Sequence, residues 1–332
     1  MALIAVTGGT GTLGQNLAPT ALARGHEVRV LSRRPGASVA AGADLAVADV
    51  VSGRGLDRAL AGAEVVVHAA TSPLRRARTT EIEGTRKVVE AAHKAGAHLI
   101  YVSIVGIDHH HFPYYRAKLA AEKIAAACPA SWAIARATQF HHLLDRVLAA
   151  PVLPVTQHMR FQPVDPGEFA AWLCQMAETR ARGRAPDFGG PEVLPIRELR
   201  SIRMQTSGRS ALLLPAPPIG FLRDFDRGLH LAPGNREGSV TWEQWLRGQC
   251  HTGRGAGRRP SLGLRTHFLR NAAVAQVGGS ASSMPPLPAT CSGAARGRPG
   301  TRRSAAVRRP AESCQRFSGK LSDRALRRSS YW

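Results

Sequence analysis

Short apolar runs recur along the first 137 residues: LIAV at 3–6, EVRVLSR at 27–33, DLAVADV at 44–50, EVVVHAA at 64–70, HLIYVSIV at 98–105 and SWAIARA at 131–137. Each has the length of a buried strand. The segments between them carry helical patterning at about 12–24, 53–61, 79–95, 114–127 and 140–149. Strands that are apolar almost throughout, each followed by a helix, predict βαβ repetition and a parallel sheet covered on both faces. Pro19 interrupts the first helical pattern, where the missing N–H predicts a bend.

The pattern thins over 151–250. RFQPVDPGEFAAWLCQMAET predicts a short strand and then a helix that starts near Asp165 or Pro166, an N-cap acceptor followed by a proline in the first turn. IRELRSIRMQT predicts another helix. Thr241 and Gln244 have capping-box spacing, and Trp242 and Leu246 fall on one face of the helix they open. These elements predict a small substrate-side region rather than a second catalytic unit.

From residue 251 onward the periodicity is lost and the charge changes. The whole chain carries +22, and residues 251–332, with sixteen Lys/Arg and two Asp/Glu, hold +14 of it. Gly, Pro, Ser and Arg dominate there, which favours a disordered basic tail. An arm for nucleic acid or an anionic surface, and an altered-frame extension, are the alternatives. The five cysteines are far apart and lack the spacing of a zinc site or a disulfide framework, so a reducing cytoplasm is the expected compartment. No apolar run approaches the length of a membrane span, and no membrane partner is expected.

Candidate chemistry begins at TGGTGTLG, 7–14. Gly8, Gly11 and Gly14 form G-x-x-G-x-x-G directly after the first strand and at the entry to a helix. Without Cβ atoms the chain can turn tightly and approach a pyrophosphate, whose oxygens would meet free N–H groups at the helix start. That context predicts dinucleotide binding. SRR at 32–34 ends the second strand without an acidic residue. Arg33 and Arg34 suit the extra phosphate of NADP, so NADPH is preferred over NADH; a solvated surface pair is the alternative.

TGGTGTLG together with HAAT at 68–71, YVSIVGID at 101–108 and YYRAK at 114–118 resembles the short-chain dehydrogenase/reductase superfamily, in particular its atypical branch and the NmrA-like NAD(P)H-binding proteins. The resemblance covers about residues 1–250. It implies a Rossmann-like doubly wound parallel sheet over 1–150 with a small substrate subdomain over 151–250. It also implies that Gly8, Thr10, Gly11, Thr12, Leu13 and Gly14 cradle the cofactor, that Asp49 and Val50 lie near adenine, and that Ala69, Ala70 and Thr71 flank the cofactor after the fourth strand. The branch contains both reductases and nucleotide-sensing regulators.

Within YYRAK, Tyr114 and Lys118 are four apart and share a helix face. There the ammonium can favour a tyrosinate and orient the nicotinamide ribose, and Tyr114 can protonate a carbonyl oxygen as hydride arrives. Ordinary helix packing is the alternative, and Tyr115 is the weaker catalytic choice. Related domains usually place two serines at the end of strand five. This chain keeps Ser103 and puts Ile104 in the second slot, so Ser103 is a conditional catalytic residue.

DHHHFP at 108–113 predicts a substrate rim or exposed loop rather than a metal site. Arg136, Thr138, Gln139 and Phe140, at the end of the sixth strand and just after it, can shape the substrate side; for His141 and His142 a pocket contact and a helix-surface or packed position are equal alternatives. The expectation is an NADP(H)-dependent oxidoreductase acting on a small carbonyl, quinone or related electrophile. The alternative is a nonenzymatic NADP(H) sensor that binds a regulatory protein.

Overall fold

The computed structural model describes residues 1–72 and 77–251. The expected disordered tail falls outside the described residues. Strand β1 (Leu3–Thr7) leads through the glycine turn into α1 (Gly14–Ala23), which is followed by β2 (Glu27–Ser32), β3 (Asp44–Val47), α2 (Leu56–Leu60) and β4 (Val65–His68). A π-helical turn, Thr79–Gly84, runs into α3 (Thr85–Lys94), and then come β5 (His98–Ile104), α4 (Pro113–Ala126), β6 (Trp132–Ala137) and α5 (His141–Leu148). α1 passes through Pro19 without a break, and Pro19 is exposed on its outer face.

The remaining elements are β7 (Val152–Val155), β8 (Arg160–Phe161), α6 (Pro166–Thr179), β9 (Gly183–Arg184), β10 (Leu194–Pro195), α7 (Ile196–Ser207), β11 (Leu212–Pro215), α8 (Phe221–Asp226) and α9 (Trp242–His251). The six strands read from the apolar runs form a parallel sheet in the order β3-β2-β1-β4-β5-β6, a Rossmann-like doubly wound arrangement. β9, drawn from beyond residue 150, adds a seventh parallel strand beside β6.

Alternation along the strands divides the apolar residues between two cores. Ile4, Val6, Val28, Val30 and Val67 pack with Leu17, Ala21, Phe169 and Leu173 of α1 and α6. Ala5, Leu31, Val66, Leu99 and Tyr101 pack with Leu56, Val88, Ala92 and Ala121 on the opposite face. α6 therefore belongs to the sheet's own wall. Its start follows the sequence reading, since the Asp165 carboxylate accepts from the amides of Gly167 (2.7 Å) and Glu168 (3.1 Å), with Pro166 in the first turn.

A third core joins Leu144, Leu148, Phe161, Ile196, Leu199, Phe225, Trp242 and Trp245 beneath the two small sheets β10-β8 and β11-β7. Both capping-box bonds form at the start of α9: the Thr241 amide donates to Gln244 Oε1 (2.9 Å) and the Gln244 amide to Thr241 Oγ1 (3.2 Å). Trp242 and Leu246 are both buried on the same face of that helix. Among the described residues, no helix is long and apolar enough to cross a membrane.

Candidate functional site

The glycine turn is shaped by close approach. Gly8 has φ +70°, and a Cβ there would lie 2.7 Å from the Ala69 carbonyl oxygen and the Ala70 Cα. A Cβ on Gly14 would lie 2.3 Å from the Cα of Gly9, and one on Gly9 would lie 2.6 Å from Val30 Cγ1. Gly8 and Gly14 therefore let the turn close against β4 and against itself. Gly9 does the same against β2, a role that the three-residue spacing did not reveal. Gly11 is exposed, and a Cβ there would meet only the Gly8 carbonyl, at 3.1 Å. Its outer side is open backbone. The amides of Thr12 and Leu13, at the entry to α1, take no acceptor among the described residues. An open glycine surface beside orphan donors at a helix start is what a pyrophosphate requires, so this cradle fits a dinucleotide.

The strand ends converge around it. Arg33 and Arg34 follow β2, both are exposed, and neither has a carboxylate partner among the described residues. The Arg34 amide donates to Ser32 Oγ (3.1 Å), which fixes the turn that carries them. Asp49 and Val50 follow β3. Asp49 Oδ1 accepts from the Val51 amide (2.9 Å), so this carboxylate organises its own turn. Ala69 and Ala70 are half-buried after β4, against the glycine turn, and Thr71 is exposed at the rim.

Thr71 links this cradle to α4. Its hydroxyl oxygen lies 2.7 Å from the phenol oxygen of Tyr114 and donates to Glu81 Oε1 at 2.5 Å. Lys118, buried one turn beyond Tyr114, donates to the Val102 carbonyl (2.6 Å) and lies 3.3 Å from Glu81 Oε2 and 4.3 Å above the Tyr101 ring. No hydrogen bond joins Tyr114 and Lys118 directly. Burial, and after it the Glu81 charge, push the Tyr114 phenol well above its ordinary range. The Lys118 ammonium is turned to a carboxylate and a carbonyl, and the shift of the phenol is opposite to the tyrosinate-favouring one expected beside a lysine.

Behind this network, His68 is buried between Thr7 Oγ1 (2.6 Å) and Thr85 Oγ1 (3.1 Å) and is held neutral, its pKa lowered to about 3 by burial and then by Lys118. Ser103 is also buried, and its hydroxyl has no hydrogen-bond partner among the described residues. It lies on the face of β5 that carries Tyr101; Ile104, on the other face, is half-buried.

The residues expected to shape the substrate side are mostly committed elsewhere. Arg136 is buried, with its guanidinium against Asp108 and against Glu122 (2.5 Å). Because Glu122 is one turn beyond Lys118 on α4, this triad ties the loop after β5 to α4. Thr138 Oγ1 accepts from the Gly190 amide (3.3 Å), and Gln139 donates to the His230 carbonyl (3.1 Å). Phe140 packs on Phe169. His141 is buried and stacked on Trp242 and Trp245, which makes it part of the third core.

In DHHHFP, His110 is buried against Tyr115 and Phe225, and Asp224 accepts from the His111 amide (2.7 Å). The loop is docked onto α8 through His110 and the His111 amide, while Asp108, His109, Pro113 and the His111 side chain stay exposed. Among the described residues, no group of three His, Cys, Asp or Glu side chains is placed to hold a metal.

Glu81 was the site residue that motif reading passed over. A signal was present, since Glu81 stands with Thr85, Val88 and Ala92 on the apolar stripe of the helix read over 79–95. A charge on a buried stripe needs a partner.

Comparisons with known proteins agree with this geometry. Residues 8–145 match the family model described as NAD(P)H-binding. A ceramide reductase of Caulobacter vibrioides is 34% identical over 202 residues, 54% of this chain and 62% of that protein. An uncharacterized protein of Mycobacterium tuberculosis is 31% identical over 156 residues, 46% of this chain and 17% of that one. The chain thus spans less than two thirds of the curated relatives it matches. In fold it is similar to the Bordetella bronchiseptica enzyme WbmH, solved in complex with NAD+, with a TM-score of 0.63, 15% identity, and coverage of 78% of this chain and 100% of that one. The glycine cradle and most of the doubly wound sheet fall within the matched residues, so this part of the chain is an NAD(P)H-binding domain of Rossmann-like fold.

Proposed function

We propose that the protein is an NADP(H)-dependent oxidoreductase that reduces a small carbonyl, quinone or related electrophile. The observation that carries this reading is the half-buried Tyr114 phenol, held by Thr71 at the rim of the cofactor cradle with Lys118 one helical turn away. When bound, the reduced nicotinamide supplies a hydride to the carbonyl carbon. Tyr114 gives its phenolic proton to the carbonyl oxygen, its O–H bond breaking as the alcohol O–H forms, and the tyrosinate regains a proton from solvent. Lys118 keeps one N–H beyond its bonds to Val102 and Glu81 for a ribose hydroxyl. The unpaired guanidinium groups of Arg33 and Arg34 support the 2′-phosphate of NADP(H). The relative named as a ceramide reductase supports reductive chemistry. Buried free thiols at Cys128 and Cys174 suit a reducing cytoplasm.

A second reading is an NmrA-like NADP(H) sensor that captures a regulatory protein. Ile104 in the second serine slot and the engagement of Lys118 by Glu81 favour it. A screen of aldehydes, ketones and quinones separates the two. Loss of NADPH absorbance at 340 nm with product found by mass spectrometry is expected of the reductase. Tight NADPH binding without turnover, with redox-dependent capture of a protein, would replace it with the sensor.

A further inference from the structure

Glu81 has no solvent exposure and sits within the π-helical turn Thr79–Gly84, a local geometry that often marks function. Its two oxygens face different parts of the site. Oε1 accepts from the Thr71 hydroxyl (2.5 Å) and the Ser72 amide (3.4 Å). Oε2 accepts from the Tyr101 phenol (3.2 Å) and lies 3.3 Å from Lys118 Nζ.

The polarity of this chain has a consequence for Tyr114. A carboxylate oxygen only accepts, so the Thr71 hydroxyl must spend its single hydrogen on Glu81. What Thr71 then offers Tyr114 is a lone pair. The phenol must be the donor in that 2.7 Å contact, which requires it to carry its proton. We infer that Glu81 is the positioning residue of this site: a fixed negative charge between Tyr114 and Lys118 that orients Thr71 and keeps the phenol a proton donor rather than a base.

The inference rests on the reductase reading above. The groups facing the phenol are Glu81 from the π-helical turn, Thr71 from the loop after β4, Tyr101 from β5, and Lys118 and Tyr115 from α4. Lys118 alone would draw the phenol toward tyrosinate, and Glu81 offsets that pull by pairing with the ammonium.

The test uses the full chain labelled with [13Cζ]tyrosine. It contains four tyrosines, and Y114F assigns the resonance of interest. Wild-type Tyr114 is expected to show no titration up to about pH 11. Glu81→Gln removes the charge, frees the orientation of Thr71 and leaves the ammonium unopposed. Its Tyr114 inflection is expected at least about one pH unit lower, within the accessible range. Glu81→Asp, with its carboxylate drawn back by one methylene, is expected to lie between the two and carries the test if the glutamine variant does not fold. A Tyr114 resonance that titrates as in the wild type in either folded variant overturns the inference.

With a turned-over substrate, the alkaline limb of reduction should move down in E81Q with little change in KM for NADPH, a split that general loosening would not produce. The titration needs no substrate. An absence of turnover on every electrophile therefore ends the reductase reading and leaves the Glu81 result to be judged separately.

Discussion

The phenol oxygen of Tyr114 sits 2.7 Å from the hydroxyl of Thr71, a residue that leaves β4, while Tyr114 belongs to α4. Two segments 43 residues apart thus share one hydrogen bond at the rim of the glycine cradle. In the proposed reaction Tyr114 is the proton donor, and the first prediction tests that role. Y114F should fold, bind NADPH with unchanged affinity and lose carbonyl turnover by roughly 10²–10⁴-fold, as measured by stopped-flow absorbance and calorimetry. Lys118→Ala should weaken NADPH binding as well as turnover. Equal loss of cofactor binding in both variants would contradict the division of roles.

The proposed preference for NADP(H) rests on Arg33 and Arg34, which are exposed after β2 and have no carboxylate partner among the described residues. Wild-type protein should bind NADPH more tightly than NADH in calorimetry. In R33A/R34A the NADPH affinity should fall by about 1.5–3 kcal/mol for each ordered phosphate contact, with NADH affinity little changed. A parallel loss for both nucleotides would mean that the arginines act on the common part of the cofactor.

Gly14→Ala should abolish dinucleotide binding. The added methyl would fall 2.3 Å from the Cα of Gly9 and 2.6 Å from its carbonyl carbon and oxygen, backbone atoms that cannot swing aside as a flexible side chain would. The overpacking should cost about 1–3 kcal/mol, read as a lowered denaturant midpoint. Gly11→Ala meets only the Gly8 carbonyl at 3.1 Å. It should retain stability and lose affinity, because its methyl stands where the pyrophosphate approaches.

The buried Ser103 hydroxyl has no hydrogen-bond partner among the described residues. Ser103→Ala should therefore leave the melting temperature unchanged or raise it, since it relieves an unsatisfied polar group. A fall in turnover at unchanged stability would place the hydroxyl on cofactor or substrate. A fall in stability would indicate a structural partner.

Acid should destabilise the fold through its buried histidines. Burial lowers the pKa of His110 to about 4 and those of His68, His141 and His230 to about 3. In the unfolded chain each regains a value near 6.5, so between about pH 6.5 and 4 the unfolded state binds more protons and stability rises with pH. Melting temperature should be flat above about pH 7 and fall as pH drops through that window. Replacing His141 with Phe, which preserves the stacking on Trp242 and Trp245, should make the fall shallower.

Much of the Rossmann core was legible because its signals are local. LIAV at 3–6 and VVV at 65–67 are apolar without interruption, a pattern that suits strands covered on both faces. Asp165 before Pro166 and Thr241 before Gln244 announced two helix starts through bonds that span three residues. β9 went unread because two residues carry no periodicity, and only the exposed edge of β6 makes Gly183–Arg184 a strand.

The histidines and polar residues near the sheet's end were the harder case. A sequence cannot tell whether His110 faces solvent or Phe225, nor whether Arg136 reaches a ligand or closes on Glu122 and Asp108, because those partners are distant in the chain and meet only when the elements pack. The same holds at the site. Gly8, Gly11 and Gly14, and the four-residue step from Tyr114 to Lys118, were fixed by sequence, since backbone freedom and helix pitch are properties of short segments. The identity of Lys118's partner was decided by tertiary structure alone. Glu81 comes from a different helix and reaches the ammonium only where α4 and the π-helical turn pack on the same face of β5, and there its charge adds to burial in raising the pKa of a tyrosine it does not touch.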